Sequence, residues 1–184
     1  LIDEFHERDI TTFLVSNGTN PEMLARCDPT QLYVSVDAHN RAMFDDVVKA
    51  VEDDAWERLI DTMDVLADKD DTRTVLRTTL VEGENMRDPD WYAAFYDRAD
   101  PDFVELKAYM HVGHSRGRLD RSSMPDHEDV LAFTEEIGAH MPDHDTIKDV
   151  PQSRVALLAR DADTWVPKLN KGSEFWARDP LASD

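Results

Sequence analysis

The apolar positions of the chain follow two rhythms. Thr12 to Ser16 and Leu32 to Val36 are short β-rich runs, the first closing on Asn17-Gly18 and the second near Asp37-Ala38. Each predicts a strand. Ala42 to Val51 and Ala55 to Leu66 repeat at helical spacing, and the second places Trp56, Leu59, Ile60, Met63 and Leu66 on one stripe. Beyond them the pattern predicts a strand over Thr74 to Val81, a helix over Trp91 to Ala99 and a strand over Phe103 to Tyr109. A helix over His127 to His140 and a last β-rich run, Arg154 to Leu158, complete the series.

Strand followed by helix, repeated without hairpin turns, predicts parallel strands joined by crossover helices. The expected class is α/β, part of a barrel or an open sheet. Residues 1–160 are expected to form this unit, followed by a polar tail over 161–184 that carries Trp165 and Trp176. Ligands of such folds bind beyond the carboxyl ends of the strands. That rule brings Asn17, Asp37, Glu82 to Asn85 and His111 to Arg118 to one rim.

Composition adds a setting to this outline. The 184 residues hold 28 Asp and 12 Glu against 14 Arg and 6 Lys, for a formal charge of -20. The carboxylates are spread along the chain, so they predict a surface for concentrated salt, where the Debye length shrinks to about 3 Å at 1 M, and not an acidic tail. A halophilic cytoplasm is the expected home. Cys27 is the single cysteine, which excludes an internal disulfide and any thiolate cluster built from this chain alone. No apolar run is long enough to span a membrane and no leader is visible, so neither a membrane protein nor a secreted one is expected. Leu1 to Arg8 has helical periodicity from its first residue, without a cap or initiator Met. The expectation is a piece of a larger architecture.

Against this acidity one island is cationic. Between Glu105 and Asp120 there is no carboxylate, while Lys107, His111, His114, Arg116 and Arg118 gather there. Such an island predicts an anionic ligand. By strand alternation Lys107 shares a face with Glu105 and Tyr109, and Arg77 shares one with Thr79. A cation buried there needs an anionic partner or a bound carboxylate, and for both residues an ion pair with Glu105 is the plainer alternative. Asn17 alternatively serves an Asn-Gly turn, and Asp37 a helix cap. His111, His114, Asp120, Asp126 and His127 match no metal-ligand spacing. His140 and His144, flanking Met141-Pro142-Asp143, are expected in an exposed loop.

Four blocks carry a family resemblance: Phe13-Leu-Val-Ser-Asn-Gly-Thr19, Gln31 to Ala38, Arg73 to Met86, and Phe103 to Arg118 with its Lys-Ala-Tyr-Met-His-Val-Gly run. Together they resemble the carboxyl-terminal part of the archaeal tRNA 4-demethylwyosine synthases, radical S-adenosylmethionine enzymes of wyosine biosynthesis. The likeness runs from Phe13 to Leu158. It implies an incomplete radical-SAM (β/α) barrel, S-adenosylmethionine and a 4Fe-4S cluster as cofactors, and carbon-carbon lyase chemistry. In that chemistry 1-methylguanosine next to the anticodon of tRNA-Phe gains carbon from pyruvate to become 4-demethylwyosine. Within that frame strand position makes Lys107 and Arg77 the candidate catalytic residues, and makes Asn17, Ser35, Asp37 and Asn85 candidate cofactor contacts, with loop padding the plainer alternative for Asn85. The cationic loop makes His111, His114, Arg116 and Arg118 the candidate tRNA contacts, with a solvated basic loop balancing nearby Asp residues as the alternative.

The cluster cysteines and the pyruvate-engaging lysine of the family lie upstream of the matched blocks. This chain is therefore expected to need an amino-terminal barrel partner, to be inactive alone, and to expose an unpaired edge at Thr12 to Ser16. A non-catalytic RNA-binding α/β module is the competing expectation, and a metal-dependent barrel hydrolase the third.

Overall fold

In the computed structural model residues 1–160 are described; the expected tail over 161–184, with its tryptophans, lies outside them. Six strands form one sheet, β1 (Phe13–Ser16), β2 (Gln31–Ser35), β3 (Arg73–Leu80), β4 (Phe103–Ala108), β5 (Asp145–Val150) and β6 (Val155–Ala159), in the order β1-β2-β3-β4-β6-β5. The first four run parallel, as strand-helix alternation requires. β6 instead lies antiparallel to β4, and β5 antiparallel to β6. The reversal has a local cause: β5 passes into β6 through the turn Pro151–Ser153 and Arg154, which adopts φ 49°, with no crossover helix between them.

The helices are α1 (Ile2–His6), α2 (Pro21–Ala25), α3 (Arg41–Val47), α4 (Ala55–Ala67), α5 (Pro89–Asp97) and α6 (His127–Gly138). Asn20 caps α2 and Asn40 caps α3, each accepting the amide of the residue three positions on. α3 stops short of its expected end, where Lys49 takes φ 54°. Capping of the orphan amides sets where each begins.

Among the described residues one face of the sheet is covered by helices and the other is not. Leu32, Val34 and Val36, Leu76 and Leu80, Val104 and Leu106, and Ala156 and Leu158 are fully buried in one cluster with Leu59, Met63, Leu66, Tyr92, Tyr96 and Ile137. Each buried leucine there stabilises the fold by about 2 kcal/mol. The β1–α2 turn is part of this packing. Gly18 has φ +73°, its carbonyl accepts the Thr62 hydroxyl at 2.7 Å, and a Cβ would stand 2.7 Å from Leu59 Cδ1. Only glycine meets both conditions.

The opposite face carries Gln31, Tyr33 and Ser35 of β2, Val75, Arg77 and Thr79 of β3, and Phe103, Glu105 and Lys107 of β4. Its apolar part is a small cluster of Val75, Phe103 and Ala159 with Tyr33 and Leu157, all toward the amino ends of the parallel strands. Toward the carboxyl ends the same face turns polar. β1 forms the sheet edge, and Phe13 and Val15 remain 53% and 60% exposed.

His144 corrects an expectation. It is buried, and its Nε2 lies 3.0 Å from the Pro101 carbonyl. Met141 is drawn into the core and takes the turn with it, so the ring is covered. Burial lowers the His144 pKa, and a neutral Nε2–H donating to that carbonyl satisfies the ring. His140 stays exposed.

Candidate functional site at the strand ends

Cross-strand register sets the site. Arg77 stands between Ser35 and Glu105, and Thr79 stands opposite Lys107, so Arg77 and Lys107 share the uncovered face. Arg77 Nε donates to Glu105 Oε1 at 2.7 Å, and its guanidinium lies 4.3 Å over the Tyr33 ring. The ion pair foreseen as the alternative role for Arg77 is thus formed. Lys107 does not compete for that acid. Half-buried, its ammonium makes no ion pair or hydrogen bond among the described residues.

The charge of Lys107 acts instead on Asp37, just past the end of β2. Asp37 Oδ1 accepts the Thr79 amide at 2.7 Å. Burial raises the Asp37 pKa, opposed by the Thr79 hydrogen bonds and by the charge of Lys107. Desolvation favours the neutral acid while a cation favours the anion. The result is a carboxyl with one oxygen engaged, facing a lysine held at a distance. Asp37 caps no helix, since Asn40 fills that role for α3.

Asn85 is pulled inward. Its Oδ1 accepts the Val81 amide at 2.7 Å, and its Nδ2 donates to the carbonyls of Asp37 and Thr79 at 3.0 and 2.9 Å. The amide ties the end of β2 to the end of β3, so Asn85 shapes the mouth and presents no free polar atom to a cofactor. Asn17 is exposed at the end of β1, where Oδ1 accepts the amide and hydroxyl of Thr19, a turn of the kind its sequence foretold. Ser35 lies half-buried beside Arg77.

Above β4 the cationic loop is wound tightly. Tyr109, buried, donates its hydroxyl to Ser115 Oγ at 2.9 Å, and Ser115 Oγ donates to the Val112 carbonyl at 2.6 Å. The phenol oxygen also lies 3.2 Å from His111 Nδ1. Since its proton goes to Ser115, His111 must donate from Nδ1. Arg116 Nε donates to the His111 carbonyl at 3.1 Å. His111 and Arg116 then line a groove of about 490 Å³ with Met110, Val112, Arg121 and Met124. Arg118 faces a separate hollow of about 110 Å³ beside Asp46, Lys49 and Glu84, and His114 is exposed. The four expected tRNA contacts thus divide into a pair and two separate residues.

Among the described residues no group of three or more His, Cys, Asp or Glu could hold a metal ion. His127 instead meets Asp149, Nε2 to Oδ2 at 2.7 Å. Thr79, Tyr109 and Arg121 belong to the site and were not singled out as site residues from sequence. The period-two rule had already put Thr79 beside Arg77, whereas Arg121 follows Asp120 and so falls outside the carboxylate-free run.

Comparison with known proteins bears on these same elements. Residues 98–160 match the family described as wyosine base formation, a span running from before β4 through the cationic loop and α6 to the end of β6. The S-adenosyl-L-methionine-dependent tRNA 4-demethylwyosine synthase of Pyrococcus horikoshii is 44% identical over 166 residues, covering 88% of this chain and 48% of the relative. The solved structure of TYW1 with a lysine-pyruvate adduct bound superposes with a TM-score of 0.78 at 37% identity, over 87% of this chain and 50% of that one. Coproporphyrinogen III oxidase (HemN) from Escherichia coli, a radical SAM enzyme, shares the fold at 14% identity and a TM-score of 0.55. The chain spans about half the length of the curated relatives it matches. Its mixed, mostly parallel sheet is a partial radical-SAM-type fold, and its similarity to the tRNA 4-demethylwyosine synthases extends through nearly all the described residues.

Proposed function

We propose that this chain is part of an S-adenosylmethionine-dependent tRNA 4-demethylwyosine synthase and supplies one wall of its reaction chamber and part of its tRNA-facing rim. The observation that carries the proposal is the polar row Asp37, Thr79, Lys107 on the uncovered sheet face, directly below the cationic loop. The family match covers Lys107 and the loop. Asp37 is partly desolvated there, and taking a carboxylate out of water is costly unless it is paired or hydrogen-bonded.

S-adenosylmethionine fits this row by chemistry. Asp37 offers a carboxylate oxygen beyond the one held by Thr79, and Ser35 offers a hydroxyl; both suit ribose hydroxyls, with Asn17 at the rim. Bound there, the cofactor supplies the radical chemistry of the family. An iron-sulfur cluster does not fit these residues, because Cys27, the single cysteine, lies before the amino end of β2, opposite the rim. Lys107 presents its amine where an anionic group of pyruvate or of the nucleotide would lie. Arg77, fixed by Glu105 and Tyr33, positions the neighbouring row and keeps Glu105 from neutralising Lys107.

The acidic surface supports a setting of high salt in the cytoplasm, and among the described residues no helix is long and apolar enough to cross a membrane. The test is nucleoside mass spectrometry of tRNA bearing 1-methylguanosine after incubation with the protein joined to its cluster-bearing amino-terminal barrel part, S-adenosylmethionine, a reductant and pyruvate. Lys107→Met is expected to abolish the tricyclic product while Arg58→Ala, on the exposed face of α4, leaves it. Full product from Lys107→Met would remove Lys107 from the chemistry.

A further inference from the structure

The groove above β4 has two kinds of wall, and their arrangement goes beyond a general attraction for RNA. Met110 and Val112 are 48% and 56% exposed, and with Met124 they form an apolar side. His111, Arg116 and Arg121 form the other. Every charged or titratable residue lining the groove is basic, in a chain of charge -20.

Both arginines are available. Arg116 uses only Nε among the described residues, on the His111 carbonyl, which leaves its two terminal nitrogens without a partner there. Arg121 makes no hydrogen bond or ion pair through its side chain among the described residues. Its backbone is nonetheless anchored. It opens the turn Arg121–Ser123, and the Ser123 carbonyl accepts the Glu82 amide at 2.9 Å, which pins that turn to the carboxyl end of β3. Two guanidiniums on separately tethered loops thus face one groove of about 490 Å³, large enough for one nucleotide.

We propose that this groove seats one unpaired nucleotide of the RNA, its phosphate gripped by Arg116 and Arg121 and its base laid on Met110, Val112 and Met124. Planar guanidinium forks bind phosphate oxygens bidentately, and thioethers make favourable contacts with π faces. Neither Asp37 nor Lys107 lines the seat. It therefore holds a neighbour of the reacting nucleotide and sets how far that nucleotide reaches into the mouth. The inference rests on the proposed tRNA function and adds Arg121 as a positioning residue for it.

The experiment is fluorescence anisotropy of a labelled RNA stem-loop with the protein, titrated over a series of salt concentrations. Loss of one phosphate contact to a single strand lowers the slope of log affinity against log salt by about 0.7. Arg121→Ala is expected to weaken binding about tenfold and reduce the slope by that amount; Arg121→Lys is expected to restore the slope but not the full affinity. Met124→Ser is expected to weaken binding with the slope unchanged, because it removes apolar surface and no charge. Circular dichroism of each variant confirms that it is folded. If wild-type protein binds the RNA but Arg121→Ala binds equally well with the same slope, this inference falls and the tRNA function stands. If wild-type protein binds no RNA, both fall.

Discussion

The Arg77–Glu105 pair gives a measurable test of how the uncovered face is held together. Replacing Arg77 with Met keeps the aliphatic stem over Tyr33 and removes the N–H that lies 2.7 Å from Glu105 Oε1. The side chains are 28% and 17% exposed, so neither limiting case applies. An exposed pair contributes about 0.5 kcal/mol, and breaking a fully buried one costs about 3–5 kcal/mol. At an effective dielectric of about 20 the direct attraction near 3 Å is about 5 kcal/mol. Partial desolvation of both groups offsets more than half of it, leaving about 2 kcal/mol. Loss of the guanidinium over Tyr33 adds about 0.5–1 kcal/mol.

Arg77→Met should therefore destabilise the fold by about 2–3 kcal/mol, and a double-mutant cycle with Glu105→Gln should return a coupling of about 1.5 kcal/mol. The assay is urea unfolding at two salt concentrations. The coupling should survive salt better than that of Arg41–Glu57, where the ions are 2.6 Å apart but 44% and 59% exposed, because screening acts mainly on exposed charges. A coupling near zero, or one that decays with salt as fast as the Arg41 pair, would refute this reasoning.

Asn85→Ala removes three hydrogen bonds at the mouth and should cost about 3 kcal/mol, with hydrogen exchange accelerating first at the Val81 amide. Burial holds the His144 pKa below its ordinary value, so the unfolded chain takes up the proton first. Its stabilising contribution is complete above about pH 6.5 and is lost as the pH falls through the lowered folded value. His144→Gln keeps a donor for the Pro101 carbonyl and should flatten the acid side of the stability profile measured by thermal unfolding; an unchanged profile would count against the assignment. Val15→Lys on the edge strand should reduce concentration-dependent light scattering at high salt, and a wild-type protein that is already a monodisperse monomer would show that the edge does not self-associate.

The parallel half of the sheet was legible because its strands are compact apolar runs, and β2, β3 and β4 are each followed by a helical stripe; α2, five residues between β1 and β2, is too short to show one. β5 was not. Its sequence, Asp145-Thr-Ile-Lys-Asp-Val150, is polar because it lies at the outer edge beside β6, where few side chains meet the core. Alternation put Lys107 beside Glu105 and Arg77 beside Thr79 within their own strands, but it could not decide which of the two cations takes Glu105. That choice follows from register, since Glu105 stands directly opposite Arg77. Asn85 was legible as a loop residue and not as a structural tie, because its partners, the Asp37 and Thr79 carbonyls, come from strands far apart in sequence. Arg121 escaped notice for a similar reason: a turn anchored to Glu82 returns it to a loop it had left.

The most direct test of the strand-end mouth is hydrogen exchange of the protein with and without S-adenosylmethionine and substrate tRNA. Slowed exchange is predicted at 35–39, 79–86 and 107–118, at the carboxyl ends of the parallel strands, with 26–31, 70–73 and 100–103 at the amino ends unchanged. Protection confined to the amino-end segments, with the Lys107 to Arg118 stretch unaffected, would contradict it.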